Sequence, residues 1–143
     1  MKICGVSDIH GNLIENIPEC DVLCICGDIV TLNAQRNIEA SKHWWETKFI
    51  KWIDKLPCKK VVVIPGNHDF YLEYKYKLNE WNSFKDYMQV LSKGKLVFLI
   101  DEMYMKVLNS TDLLGLNQLN FKRTDGHLVD LILMKIYHSV IYY

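Results

Sequence analysis

Four short apolar runs punctuate the first hundred positions: Lys2–Ser7 (KICGVS), Asp21–Gly27 (DVLCICG), Lys59–Gly66 (KKVVVIPG) and Lys95–Asp101 (KLVFLID). Each is nearly continuous rather than alternating. Runs of this kind predict strands buried on both faces, as in a sheet covered by helices. Between the second and third runs lies NIEASKHWWETKFIKWIDKL, residues 37–56. Ile38, Trp45, Phe49, Trp52, Ile53 and Leu56 fall on one helical face, with Glu39, Lys42, Glu46 and Lys51 largely off it. The spacing predicts an amphipathic helix that ends at Pro57. Trp44 lies off the centre of the stripe and is expected to be partly exposed, with His43 at the surface or its boundary. A second helix is predicted within Leu78–Leu91, with Trp81, Phe84, Tyr87 and Met88 facing inward and Gly94 opening the fourth strand. Strands alternating with helices predict an α/β layered sheet. Beyond Asp101 the rhythm stops: residues 102–143 show no clear alternation, no repeat and no low-complexity segment.

Composition narrows the classes. The chain has 143 residues, the length of one domain, and half of them are hydrophobic, enough for a sizeable core. The formal net charge is zero and no basic stripe is visible, so nucleic acid is not favoured as a partner. Met1-Lys2 leads directly into the first strand, so no signal peptide is expected. No apolar run approaches the roughly 20 residues that span a bilayer, and no membrane association is expected. The five cysteines are Cys4, Cys20, Cys24, Cys26 and Cys58; the count is odd and no C-x-x-C occurs. Cys24 and Cys26 alternate within one strand and so point to the same side. Free buried thiols in a reducing compartment, the cytoplasm, are the expected state.

Polar residues capable of chemistry collect where three of these strands end. SDIHGN supplies Asp8, His10 and Asn12; CGDIV supplies Asp28; PGNHD supplies Asn67, His68 and Asp69. Ligands of open α/β sheets bind just outside the carboxyl ends of the strands. Carboxylate, imidazole and amide oxygen together suit Mn²⁺, Fe or Zn²⁺. A carboxylate such as Asp28 can bridge two cations, and two cations about 3.5–4 Å apart can bind a phosphoryl oxygen and hold a hydroxide for in-line attack. Gly11, Gly27 and Gly66 would permit tight turns and close backbone approach. Taken singly, each cluster reads as loop structure: a cap at Asp8-x-His10, a common Gly-Asp, an Asx turn at Asn-His-Asp. Their occurrence together, in order and each at a strand end, points to one site.

The combined pattern D-x-H, G-D, G-N-H-D resembles the calcineurin-like metallophosphoesterases. Asp8, His10, Gly27, Asp28, Gly66, Asn67, His68 and Asp69 match it position for position. The resemblance covers roughly Met1 to Asp101 and looks closest to small single-domain bacterial and phage-type members. It implies a layered β-sandwich flanked by helices, an N-terminal domain portion at 1–101 and an atypical tail at 102–143. It also implies two divalent metal ions (Mn, Fe or Zn) and hydrolysis of a phosphomono- or diester substrate by a metal-bound hydroxide. By that analogy Asp8 and His10 bind the first metal, Asp28 bridges both and Asn67 binds the second. His68 would protonate the leaving oxygen or stabilise the transition state, and Asp69 would orient His68. Asn12 either touches the phosphate or is only a turn residue.

The chain departs from the family in its last third. Members carry an isolated ligand histidine and then G-H-x-H; here Gly126-His127 is followed by Leu128-Val129, and His138 stands alone in an apolar stretch. Neither His127 nor His138 is expected to substitute. Three readings therefore compete: a metal-dependent phosphoesterase, a truncated and inactive member, and a non-catalytic interaction module. A frameshift near Tyr104–Met105 would explain the tail. Read one frame over from the third base of the Met105 codon, the first codon is GAA, glutamate, and the codons of Lys106 to Gly115 permit GIKFYGSPW after it. Asp125–Leu128 permits W-A-F in the same frame. Sequencing the gene tests the idea: the shifted frame should run on to a G-H-x-H, and early stops without one would overturn it.

Overall fold

The computed structural model of the chain describes residues 1–100. Expectations for residues 101–143, the frameshift and the roles of His127 and His138 among them, lie outside the described residues. Four strands form one parallel sheet: β1 (Ile3–Ser7), β2 (Cys20–Cys26), β3 (Cys58–Ile64) and β4 (Leu96–Phe98), in the order β1-β2-β3-β4. Each lies within its apolar run or shifted from it by a residue or two, and β4 is the shortest. The α/β class is as expected. The described residues hold a single sheet; the expectation of a second sheet layer falls on residues outside them.

Register explains why the runs are continuous. Val6, Ile25, Val63 and Phe98 form one row across the sheet, and Cys4, Leu23, Val61 and Leu96 form another. Both rows belong to the main hydrophobic core, where Leu23, Ile25, Val61 and Val63 are fully buried. On the opposite face Val22, Cys26 and Val62 are also buried, outside that core. Burial on both faces thus holds for β2 and β3. It fails for β1, the outer strand among the described residues, on which Gly5 and Ser7 are exposed.

Every helix contributes apolar residues to the same core. The first begins at Asn37, whose side-chain oxygen accepts from the Ala40 amide at 3.0 Å. It runs unbroken through α1 (Ile38–His43), a π-wound segment (Trp44–Phe49) and α2 (Ile50–Lys55), with the junction residues in right-handed helical conformation. It ends at Leu56, which turns extended before Pro57.

The π segment corrects one expectation. Trp44, expected to be partly exposed, is 4% exposed. An α-helical wheel displaces it from the stripe, but a π turn returns to the same face after five residues. Trp44 and Phe49, five apart, therefore stack at 5.5 Å between ring centroids. Trp45 meets Phe49 edge-on at 4.6 Å and Phe98 at 5.9 Å, so the helix is keyed to β4. Trp52 Nε1 donates to the Ile14 carbonyl at 2.9 Å, which ties the helix to the loop after β1. His43 is exposed, as expected.

Two further helices differ in part from the sequence reading. α3 (Phe70–Lys77) was not predicted; it buries Tyr71 and Leu72, but Tyr74 and Tyr76 are exposed, so aromatics encircle it and erase the periodicity. α4 (Trp81–Leu91) buries Trp81, Phe84 and Met88 as expected, while Tyr87 is 47% exposed. At about 100° per residue, Tyr87 sits roughly 90° from the centre of the inward stripe. Among the described residues no helix is long and apolar enough to cross a membrane. All five cysteines are free, with Cys20 and Cys26 buried and the others half-buried. Burial pushes the Cys24 thiol up to about 12.

Two measurements test this core. Trp45 is fully buried, and its Nε1 has no hydrogen-bond partner. Trp45→Ala should cost about 3–5 kcal/mol in urea unfolding, through lost contacts and a cavity. Trp45→Phe should cost less than half as much, because no hydrogen bond is lost with the indole nitrogen. For Cys24, the thiolate is the reacting form. Alkylation by iodoacetamide at pH 8 should be at least about 100-fold slower in the native chain than in urea, and should still be accelerating at pH 10.

Candidate metal centre

The ends of β1, β2 and β3 lie level, because Ser7, Cys26 and Ile64 share one row of the sheet. The chain leaves each strand at the same edge, and the pairing continues into the loops. His10 donates to the Asp28 carbonyl at 2.9 Å, Gly11 to the Ile29 carbonyl at 2.8 Å, and Gly27 to the Ile64 carbonyl at 2.8 Å. Tight turning requires unusual backbone. Asp8, His10 and Asp28 have φ of 52°, 42° and 45°. This left-handed region is sparsely occupied except by glycine, and Asn, Asp and His are the residues that tolerate it best. Non-glycine residues held there cost on the order of 1 kcal/mol or more each, and such strain clusters at functional sites. Gly66 answers a different need. A Cβ at that position would stand 2.2 Å from the Asp28 nitrogen and 2.3 Å from its Oδ1, so the two loops touch through bare backbone.

This geometry brings Asp8, His10 and Asp28 together. One ligand atom from each lies within 4.8 Å of the others, the one such group of His, Cys, Asp or Glu among the described residues. Asp8 is exposed, and His10 and Asp28 are half-buried, so the cluster is open on one side. Histidine 68 closes part of it: its ring lies 6.0 Å from that of His10, edge to face, and its Nε2 is 4.0 Å from Asp28 Oδ2. The His68 backbone amide donates to Asp28 Oδ1 at 3.0 Å. Asn67 is exposed between Gly66 and His68. Asn12 is exposed as well, and its amide closes a turn to the Ile9 carbonyl at 2.7 Å.

Asp69 differs from its expected role. It is 1% exposed, and its carboxylate does not engage His68, whose buried Nδ1 has no partner. Instead Oδ1 accepts from the amides of Ile29 at 2.9 Å and Val30 at 3.0 Å, and Oδ2 accepts from Gly66 at 2.9 Å. Burial pushes the Asp69 carboxyl above its usual range; the amides of Gly66, Val30 and Ile29 pull the other way, and the Asp28 charge adds to the rise. The sequence reading missed the amides of Ile29, Val30 and Gly66 as parts of the site. Backbone donors leave no trace in residue type, and only the glycine was a signal.

The donor set fits a divalent cation. Two carboxylates and an imidazole are hard-to-borderline ligands. The Nδ1 of His10 is buried without a hydrogen-bond partner, an arrangement that is costly unless a ligand takes it up. These residues could hold one cation among Asp8, His10 and Asp28, with the exposed side left to substrate.

Comparison with known proteins bears on the family of the chain. A curated protein of Emericella nidulans, described as probable rhamnogalacturonate lyase C, is 30% identical over 82 residues, which cover 57% of this chain and 7% of that protein. The chain thus spans a small fraction of that relative's length. No solved structure matches. The family model for calcineurin-like phosphoesterases matches residues 1–138, a span that contains every residue of the cluster, and the chain belongs to that family.

Proposed function

We propose that the chain hydrolyses phosphomono- or phosphodiesters, with two divalent cations, Mn²⁺, Fe or Zn²⁺, at the carboxyl ends of β1, β2 and β3. The observation that carries this reading is the convergence of Asp8, His10 and Asp28 from two strand ends to within 4.8 Å. Asp8 and His10 would hold the first cation, Asp28 would bridge and Asn67 would hold the second. Bound there, divalent cations supply positive charge to a phosphoryl oxygen and make a water acidic near neutral pH.

The chain's own residues do the rest. Asp28 is steadied by the His68 amide on Oδ1. The His68 side chain is 38% exposed and 4.0 Å from Asp28 Oδ2, and it would pass a proton to a leaving oxygen. Asn12 is open to solvent and can donate to a phosphate oxygen. The free thiols and the absence of a basic stripe fit a cytoplasmic protein acting on a small phosphoester rather than on nucleic acid.

A second reading rests on the ligand count. Without G-H-x-H, the second cation has only Asp28 and Asn67. The chain would then bind one cation weakly and turn nothing over, or serve as a non-catalytic interaction module. The purified chain should be assayed on bis(p-nitrophenyl) phosphate and p-nitrophenyl phosphate with Mn²⁺, beside Asp28→Asn and with a metal count. The hydrolytic reading expects Mn²⁺-dependent turnover that Asp28→Asn lowers by more than about 100-fold, beyond the effect of losing an outer partner of a ligand. About one weakly held metal without turnover selects the inactive member. Turnover unchanged by Asp28→Asn would sink the site assignment.

A further inference from the structure

Asp28 and Asp69 cross between two loops. Asp69 follows β3, and its oxygens collect the amides of Ile29 and Val30 from the loop after β2. Asp28 follows β2, and its Oδ1 collects the amide of His68 from the loop after β3. Each carboxylate is carried by one loop and held by backbone of the other. Asp69 also binds the Gly66 amide at 2.9 Å, which fixes its own loop at the point of closest approach to Asp28.

The effect extends to the third loop. The peptide units that Asp69 holds are the ones that hold the loop after β1: the Asp28 carbonyl accepts from His10, and the Ile29 carbonyl accepts from Gly11. Asp28 and His10 both sit in left-handed backbone, which persists only where the surroundings fix it. A buried side chain that accepts from three backbone amides is such a fixture. Asp69 makes none of these bonds to the helix it precedes, since its side chain does not cap α3, and none to the His68 ring.

We propose that Asp69 is a positioning residue that locks the loop after β2 through the amides of Ile29 and Val30, and thereby sets the cation affinity of Asp8, His10 and Asp28. The inference rests on the reading of that cluster as a metal centre. It differs from service to His68, which would act on proton transfer and leave cation binding alone. Asp69→Asn breaks the lock with little change of volume. Its amide oxygen can keep one side, but its NH₂ then opposes an N–H donor on the other.

The test is Mn²⁺ titration calorimetry on the full chain, with Asp69→Asn and His68→Ala beside it, and amide hydrogen exchange without metal. Asp69→Asn should weaken Mn²⁺ binding on the order of 10–100-fold. Exchange should speed up at Ile29, Val30 and Gly66 and stay slow in β2 and β3. His68→Ala should weaken binding less than Asp69→Asn does, because it loses a side chain 4.0 Å from Asp28 Oδ2 and keeps the amide that holds Oδ1. Unchanged affinity in Asp69→Asn overturns the proposal, as does loss of protection throughout the sheet, which marks a purely structural role. Should Asp69→Asn fail to fold, Asp69→Glu, with both oxygens on a longer arm, is read the same way: at least threefold weaker binding supports the role, and none overturns it. Binding without turnover in the wild type removes the hydrolytic reading alone. A wild type that takes up no Mn²⁺ removes both.

Discussion

Ser7, Cys26 and Ile64 stand in one row because three parallel strands pair in register, and the rest of the site follows from that alignment. Parallel strands all present their carboxyl ends at one edge, so loops that start level can meet. A slip of one residue in β2 would turn Leu23 and Ile25 away from the helices. Asp28 would move with them. Core and chemistry are therefore set by the same hydrogen-bond ladder, and the apolar rows that fix the register also fix where the polar residues arrive.

The helical layer holds the sheet in that register from one side. Its aromatic contacts run from Trp44 and Phe49 through Trp45 to Phe98, and from Trp81 and Phe84 to Phe98 as well, so two helices converge on β4. The π winding has a purpose in this packing. It brings Trp44 onto the face that Trp45 and Phe49 occupy. Trp52 then carries the constraint across to the loop after β1, two residues beyond Asn12.

Much of this was legible in the residues. The four apolar runs marked the strands, and Asp8, His10 and Asp28 were found by their place at strand ends. Trp44 was misjudged because the sequence reading assumed 3.6 residues per turn throughout. Tyr87 was misjudged because it lies at the edge of its stripe, where packing rather than period decides. α3 was missed because its exposed tyrosines look like core. Asp69 stands in the motif, but its bonding partners were not readable from it. Its position next to a candidate catalytic histidine suggested a partnership, whereas its bonds run to amides 39 and 40 residues away in sequence. Contacts between side chain and distant backbone carry no pattern that spacing can reveal.

The left-handed backbone at Asp8, His10 and Asp28 also restricts how this chain can diverge. Branched and bulky side chains are excluded from that region, while asparagine and glycine enter it easily. Both can take that backbone conformation, and neither offers the charge or the imidazole that a cation needs. Descendants that abandoned the chemistry could therefore retain the fold unaltered, and the first mark of their change would be Asn or Gly at these three places. Fold and chemistry are separable in this architecture at single positions, so a lineage can pass from enzyme to scaffold without crossing an unfolded intermediate.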